Sequence, residues 1–169
     1  MTLGFYANFP SLIHWIESFT STVPNKQLQH MLMQLFCEIN RKEFSFEEIA
    51  NPTIPGGKIT FNFGFAEVEG FEYIDWEESK KILDLLTKEQ FHTVDFICGI
   101  RYHKENEGKK IPLKFDYYFI RTIYNRGNIE IQIHHDRGPR YISPQDLTSF
   151  IINRINDASK RKVLKKSSP

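Results

Sequence analysis

From Asn128 to His135 the chain alternates: Ile129, Ile131 and Ile133 fall on one parity, Glu130, Gln132 and His134 on the other. A period of two marks a strand with one face buried. The same pattern runs through "KITFNFGF", where Ile59, Phe61, Phe63 and Phe65 alternate with Thr60, Asn62 and Gly64. Gly70 then bends the strand or turns it into a hairpin. Phe91 to His103 and Lys114 to Tyr124 are two further strand candidates. In the first of them Val94, Phe96, Cys98, Ile100 and Tyr102 should point inward, leaving Asp95 and Arg101 outward.

Elsewhere the period is helical. Leu28, Met31, Leu32, Leu35, Phe36 and Ile39 form a broad apolar face behind Pro24 and Asn25. Ile82, Leu83, Leu85 and Leu86 follow Asp75, a capping residue with Glu78 three positions on. Leu147, Phe150, Ile151 and Ile155 follow Ser143 as N-cap, with Pro144 at the first helical position. Ser11 is expected to cap a first helix that carries Leu12, Trp15, Ile16 and Phe19. "SFEE" at 45–48 reads as a capping box on a short turn, and "NPTIPGG" at 51–57 as a loop.

The order is helices, strand, helix, three strands, helix. It predicts an α+β fold: an antiparallel β-sheet of about four to five strands, helices packed on one face, N-terminal helices and a C-terminal helix. Residues 1–158 are expected to form a single α+β domain, with 1–50 its helical N-terminal part and 58–158 its sheet and helices. Residues 159–169 are expected to be a basic flexible tail. "KENEGKKIPL" reads as a longer solvated loop between strands. "RG" at 126–127 reads as a two-residue turn, which sets Arg121 opposite Gln132 and Ile120 opposite Ile133. A three-residue loop would instead bury the Arg121 guanidinium among isoleucines, at a cost of several kcal/mol.

Composition narrows the classes. Lys plus Arg number 22 against 21 Asp plus Glu, so the whole-molecule charge pulls toward neither nucleic acid nor membrane. The basic residues cluster late, at Arg154, Lys160, Arg161, Lys162, Lys165 and Lys166. Cys37 and Cys98 sit alone in apolar segments, which argues against a disulfide framework or a cysteine zinc site and for a reducing, cytoplasmic setting. The first residues lack a basic start and a long apolar run, and no stretch is long and apolar enough to span a membrane. Neither a cofactor nor a metal site is expected, and the oligomeric state is left open.

The outward strand positions gather Arg121, Glu130, Gln132, His134, Asp95 and Arg101. The ordinary reading of such a face is a solvated surface laced with cross-strand ion pairs. The alternative is a phosphate-ester hydrolase with Asp95, Glu130 and His134 as its acids and base, and Arg121 or Arg137 on the phosphate. Adjacent His134 and His135 point to opposite faces, which makes a poor metal motif. Ser143 reads as a cap rather than a nucleophile, Cys98 as a buried thiol, and "PGGK" precedes a strand, the wrong context for a phosphate loop.

"DRGPRY" joins the last strand to the last helix. Arg137 and Arg140 flank a Gly-Pro turn beside a helix start, where an anion could be held. The expected function is therefore a non-enzymatic interaction module. It would contact nucleic acid or an acidic protein surface through Arg137, Arg140, Tyr141 and Arg121, helped by Lys160, Arg161 and Lys162 in the tail. A small-ligand site over Phe61, Phe63 and Phe65 is the third reading; such stripes are more often core.

Overall fold

The computed structural model describes residues 4–67, 70–89 and 91–167. Among them the order is β1 (Trp15–Ser21), α1 (Asn25–Ile39), β2 (Glu43–Ser45), β3 (Lys58–Glu67), β4 (Gly70–Tyr73), α2 (Trp76–Lys88), β5 (Thr93–Asn106), β6 (Lys109–Asn125), β7 (Asn128–Arg137), α3 (Pro144–Ala158) and β8 (Leu164–Lys166). The class is α+β with one antiparallel sheet, as expected. The sheet has eight strands rather than four or five, ordered β2-β3-β5-β6-β7-β1-β8, with β4 also paired to β3. The helices are not confined to the chain ends, because α2 lies in the middle. No described helix is long and apolar enough to cross a membrane.

The β6–β7 register is the one that burial of Arg121 would have penalised least. Arg121 pairs with Gln132, Ile120 with Ile133, and Asn125 with Asn128 around the turn. All five inward residues of β5 are buried, as are Ile129, Ile131 and Ile133 of β7. On this face the rings interlock: Phe36 of α1 stacks on Phe63 at 4.0 Å, and Phe150 of α3 on Phe61 at 5.4 Å. The Phe61, Phe63 and Phe65 stripe is thus filled by helices. The Ser45–Glu48 capping box and the Asp75 and Ser143 caps are all formed.

Three further expectations fail. The first helix is instead strand β1, antiparallel to β7 with Trp15 opposite Ile133 and Phe19 opposite Ile129. A spacing of four fits either period. Ser18, Thr20, Ser21, Thr22 and Val23 are poor helix formers, and β7 offers an open row of backbone partners. The N-terminal part is accordingly not all helical. The second failure is the loop after His103. β5 and β6 run on as a hairpin to Asn106 and Lys109, through Glu107 (φ 52°) and Gly108 (φ 77°). Two left-handed residues in a row make the turn whose twist matches paired strands. The third is the flexible tail. Leu164 is buried, and Leu164–Lys166 pairs with β1.

Candidate functional site

The outer sheet face is half closed. The chain from Gly4 to His14 lies along it: the Gly4 amide donates to the Ala66 carbonyl, the Asp95 amide donates to the Gly4 carbonyl, and Tyr6 stacks on Phe119 at 5.7 Å. Beneath it Asp95 is fully buried. Its carboxylate accepts from Arg121 Nε (2.8 Å), from Arg121 Nη2 (2.9 Å) and from the Tyr6 amide (2.7 Å). The rings of Phe5 and Phe9 lie against the same guanidinium, at 4.9 and 4.4 Å. Arg121 therefore holds the N-terminal strap to the sheet and is not offered to solvent as a contact residue.

Asp95, Glu130 and His134 are not brought together. Asp95 is committed to Arg121, Glu130 lies opposite Ile123 and accepts from Gln132 at 2.7 Å, and His134 lies opposite Phe119. The His134 Nδ1 donates to the Leu12 carbonyl at 2.7 Å. His135 points the other way, as adjacent strand residues must. Among the described residues no group of three or more His, Cys, Asp or Glu could hold a metal ion. Cys98 is buried, and burial pushes its thiol well above the ordinary range, which keeps it inert.

A residue the sequence reading did not single out organises the "DRGPRY" turn. Asp116 of β6 is fully buried. Its carboxylate accepts from the Tyr102 hydroxyl (2.6 Å), His135 Nε2 (2.8 Å), the Arg140 amide (2.7 Å) and the Tyr141 amide (3.1 Å). Burial holds the phenols of Tyr102 and Tyr118 far above their usual range, so both remain donors; the Tyr118 hydroxyl donates to the Ile142 carbonyl. Gly138 has φ 110°, and a Cβ there would collide with the Phe115 carbonyl and with Asp116 itself. The anion cradled by the turn is thus the chain's own carboxylate. The signal was in the sequence: Asp116 shares parity with Tyr118, Ile120, Thr122 and Tyr124, all inward.

With its amides drawn inward, the turn presents its arginine side chains outward. Arg137 and Arg140 are both exposed. The Arg137 guanidinium lies 4.7 Å from the Tyr117 ring centre. Tyr141 is half-buried and meets Tyr102 edge-on at 5.1 Å. Lys160, Arg161 and Lys162 are exposed beyond the other end of α3, around a depression with Asn153, Asn156 and Asp157. The 15 residues of α3 separate this group from the turn by roughly 22 Å. The two basic groups do not form one ridge.

Beside Arg137 the uncovered half of the outer face is concave. Asn62, Gly99, Tyr117 and Arg137 lie in one row across β3, β5, β6 and β7. A cavity of about 210 Å³ opens beside Gly64 and Gly99, both of them buried: the Tyr117 ring lies against Gly99, and Ile97 and Phe71 lie against Gly64. Phe71 and Tyr73 of β4 form one wall, Phe115 and Tyr117 the other. Ile97 closes one end, and Arg101 with Asn62 the opposite end. Phe115 is 51% exposed in a sheet whose other face is sealed, which makes it an unusual residue to leave in water. Compared with known protein families, characterised proteins and solved structures, the chain matches none.

Two outcomes follow from this geometry. Asp116→Ala strands four donors in the interior and should cost about 3–5 kcal/mol in urea unfolding; a loss under ~1 kcal/mol would show that water replaces the carboxylate. The second concerns His14, whose Nδ1 accepts from the His135 amide at 2.9 Å. Burial, then Arg140, His134 and His135, lower its affinity for a proton. The folded form therefore binds that proton less readily than the unfolded chain, so the contribution is full above pH ~6.5 and lost as pH falls below it. His14→Asn, which keeps an acceptor but does not titrate, should flatten the drop in melting temperature between pH 7 and 5. An unchanged slope would assign the drop to other groups.

Proposed function

We propose that the protein is a non-enzymatic interaction module that grips an anionic macromolecule through the Arg137/Arg140 turn and the adjoining uncovered sheet face. The observation that carries this reading is the row Asn62–Gly99–Tyr117–Arg137, which sets an aromatic, concave surface beside exposed guanidinium groups. Aromatic rings and arginines are the side chains that dominate recognition surfaces, since they combine large area with a polar handle. The polar groups that a hydrolytic site would need have other duties. Asp95 would have to leave Arg121 and Tyr6 to take a metal or a proton, and Asp116 would have to release four donors. Lys160, Arg161 and Lys162 add attraction at the far end of the molecule, but no contact shared with the turn.

The double change Arg137→Ala, Arg140→Ala tests this reading. Both side chains are exposed, and the turn is held by backbone amides that alanine retains, so the melting temperature should move by only a few degrees. Loss of charge-assisted contacts should weaken binding to a labelled oligonucleotide or to polyglutamate by more than tenfold at low salt. Unchanged affinity for both probes would contradict the reading.

A further inference from the structure

We infer that the trough over Gly64 and Gly99 is a subsite for one unpaired base of a single-stranded nucleic acid, with Arg101 and Arg137 on the neighbouring phosphates. This rests on the reading above, that the uncovered outer face is the binding surface, and it names the ligand.

The size of the cavity is the first argument. At about 210 Å³ it is smaller than the ~300–1,000 Å³ of sites that enclose a whole small molecule. It suits one flat ring of a longer ligand. Its shape is the second argument. The lining is mostly aromatic and apolar, with Phe71, Tyr73, Phe115 and Tyr117 around buried glycines, so a planar group can enter with little desolvation of polar atoms. Base edges would meet the Asn62 amide, and the Arg101 guanidinium at the same end is left for the adjoining phosphate. Among the described residues Arg101 forms no ion pair, and the Asn62 side chain makes no hydrogen bond that would have to be broken.

Charge complementarity is the third argument, and it separates a nucleic acid from an apolar or proline-rich peptide. Aromatic positions and cations alternate along the surface. Tyr73 lines both the trough and a neighbouring depression formed with Arg41, Asp75 and Trp76. Trp76 is 57% exposed, and the Lys80 ammonium lies 5.7 Å from its ring centre. Asp75 in that depression is already occupied by the Glu78 amide at the start of α2. The path therefore runs from Trp76 and Arg41, through Tyr73 and the trough with Arg101, to Tyr117 and Arg137. Stacking platforms spaced with cations are what a single strand, with bases and phosphates in alternation, requires. A duplex keeps its bases stacked inside and cannot offer a ring to a trough of this depth.

Fluorescence anisotropy with 12-nucleotide labelled probes at low salt tests the proposal, using oligo(dT), an abasic strand of the same length and a 12-base-pair duplex. The single strand should bind at least tenfold more tightly than the abasic strand or the duplex, and should quench tryptophan emission. Gly99→Val fills the trough while keeping a residue suited to strands; it should weaken single-strand binding about tenfold and leave binding to the abasic strand unchanged. Because the Tyr117 ring lies 3.2 Å from where the first atom of that side chain falls and must move aside, Phe115→Ala, at an exposed position, provides a second variant with the same expected loss. Arg101→Gln should reduce the salt dependence by about one phosphate contact. Equal binding of all three probes, or Gly99→Val and Phe115→Ala that both bind like the parent, overturns the base subsite. If the Arg137→Ala, Arg140→Ala protein nonetheless loses affinity for every probe, the turn still grips anions and only the inference falls. If no probe binds and polyglutamate does, the ligand is an acidic protein and the inference falls with the wider reading intact. If nothing anionic binds, both fall.

Discussion

The buried carboxylate of Asp116 is the constraint from which the functional end of this fold follows. A charge with no exposure is tolerated only where donors surround it. Here they come from β5 (Tyr102), β7 (His135) and the turn beyond it (the amides of Arg140 and Tyr141). Satisfying one side chain of β6 thus ties three strands to the start of α3. It also draws the turn so close that only glycine fits at 138, and it holds Arg140 at φ 60°, where a side chain is disfavoured. A turn held by its backbone is free to point its arginine side chains outward, and Arg137 comes to rest over Tyr117.

The two faces of the sheet solve different problems. The inner face is sealed by α1 and α3, with α2 packed against α1, and by aromatic contacts between helix and sheet. The outer face is divided. One end of it, from Ala66 of β3 through Asp95 and Arg121 to His134 of β7, is closed by the N-terminal strap, with Asp95 and Arg121 as the clasp and Tyr6, Phe9 and Phe119 as the packing. The other end, along the row Asn62–Gly99–Tyr117–Arg137, is left open, with two buried glycines among large neighbours. Gly64 has a structural reason for its identity, since a Cβ would fall 2.9 Å from Ile97. At Gly99 a Cβ would meet the edge of the Tyr117 ring at 3.2 Å and the Asn62 Cβ at 3.7 Å, so the glycine lets Tyr117 lie close over β5.

Local order explains what could be read from the chain. The β6–β7 register followed from a two-residue turn and from the cost of burying Arg121 among isoleucines, and the helix caps followed from Ser45, Asp75 and Ser143. These features involve neighbours in sequence. β1 was misread because Trp15 and Phe19 stand four apart, a spacing that serves both a strand and a helix. Leu164–Lys166 is too short to signal a strand until β1 supplies its partner. The trough was illegible for a related reason: Gly64 and Gly99 become neighbours only through the β3–β5 pairing, whose connection passes through β4 and α2. Arg137 and Arg140 were singled out by their position beside a Gly-Pro turn, and they are exposed. Arg121 was grouped with them, but its role could not be seen without the strap that crosses it.

Backbone amide NMR during titration with unlabelled oligo(dT) reads the binding surface residue by residue, without mutation. The account predicts shifts concentrated at Gly64, Gly99, Arg101, Phe115, Tyr117 and Arg137, with the tryptophan indole signal of Trp76 moving alongside them. Shifts confined to Lys160–Lys166, or spread over the helical face, would contradict it.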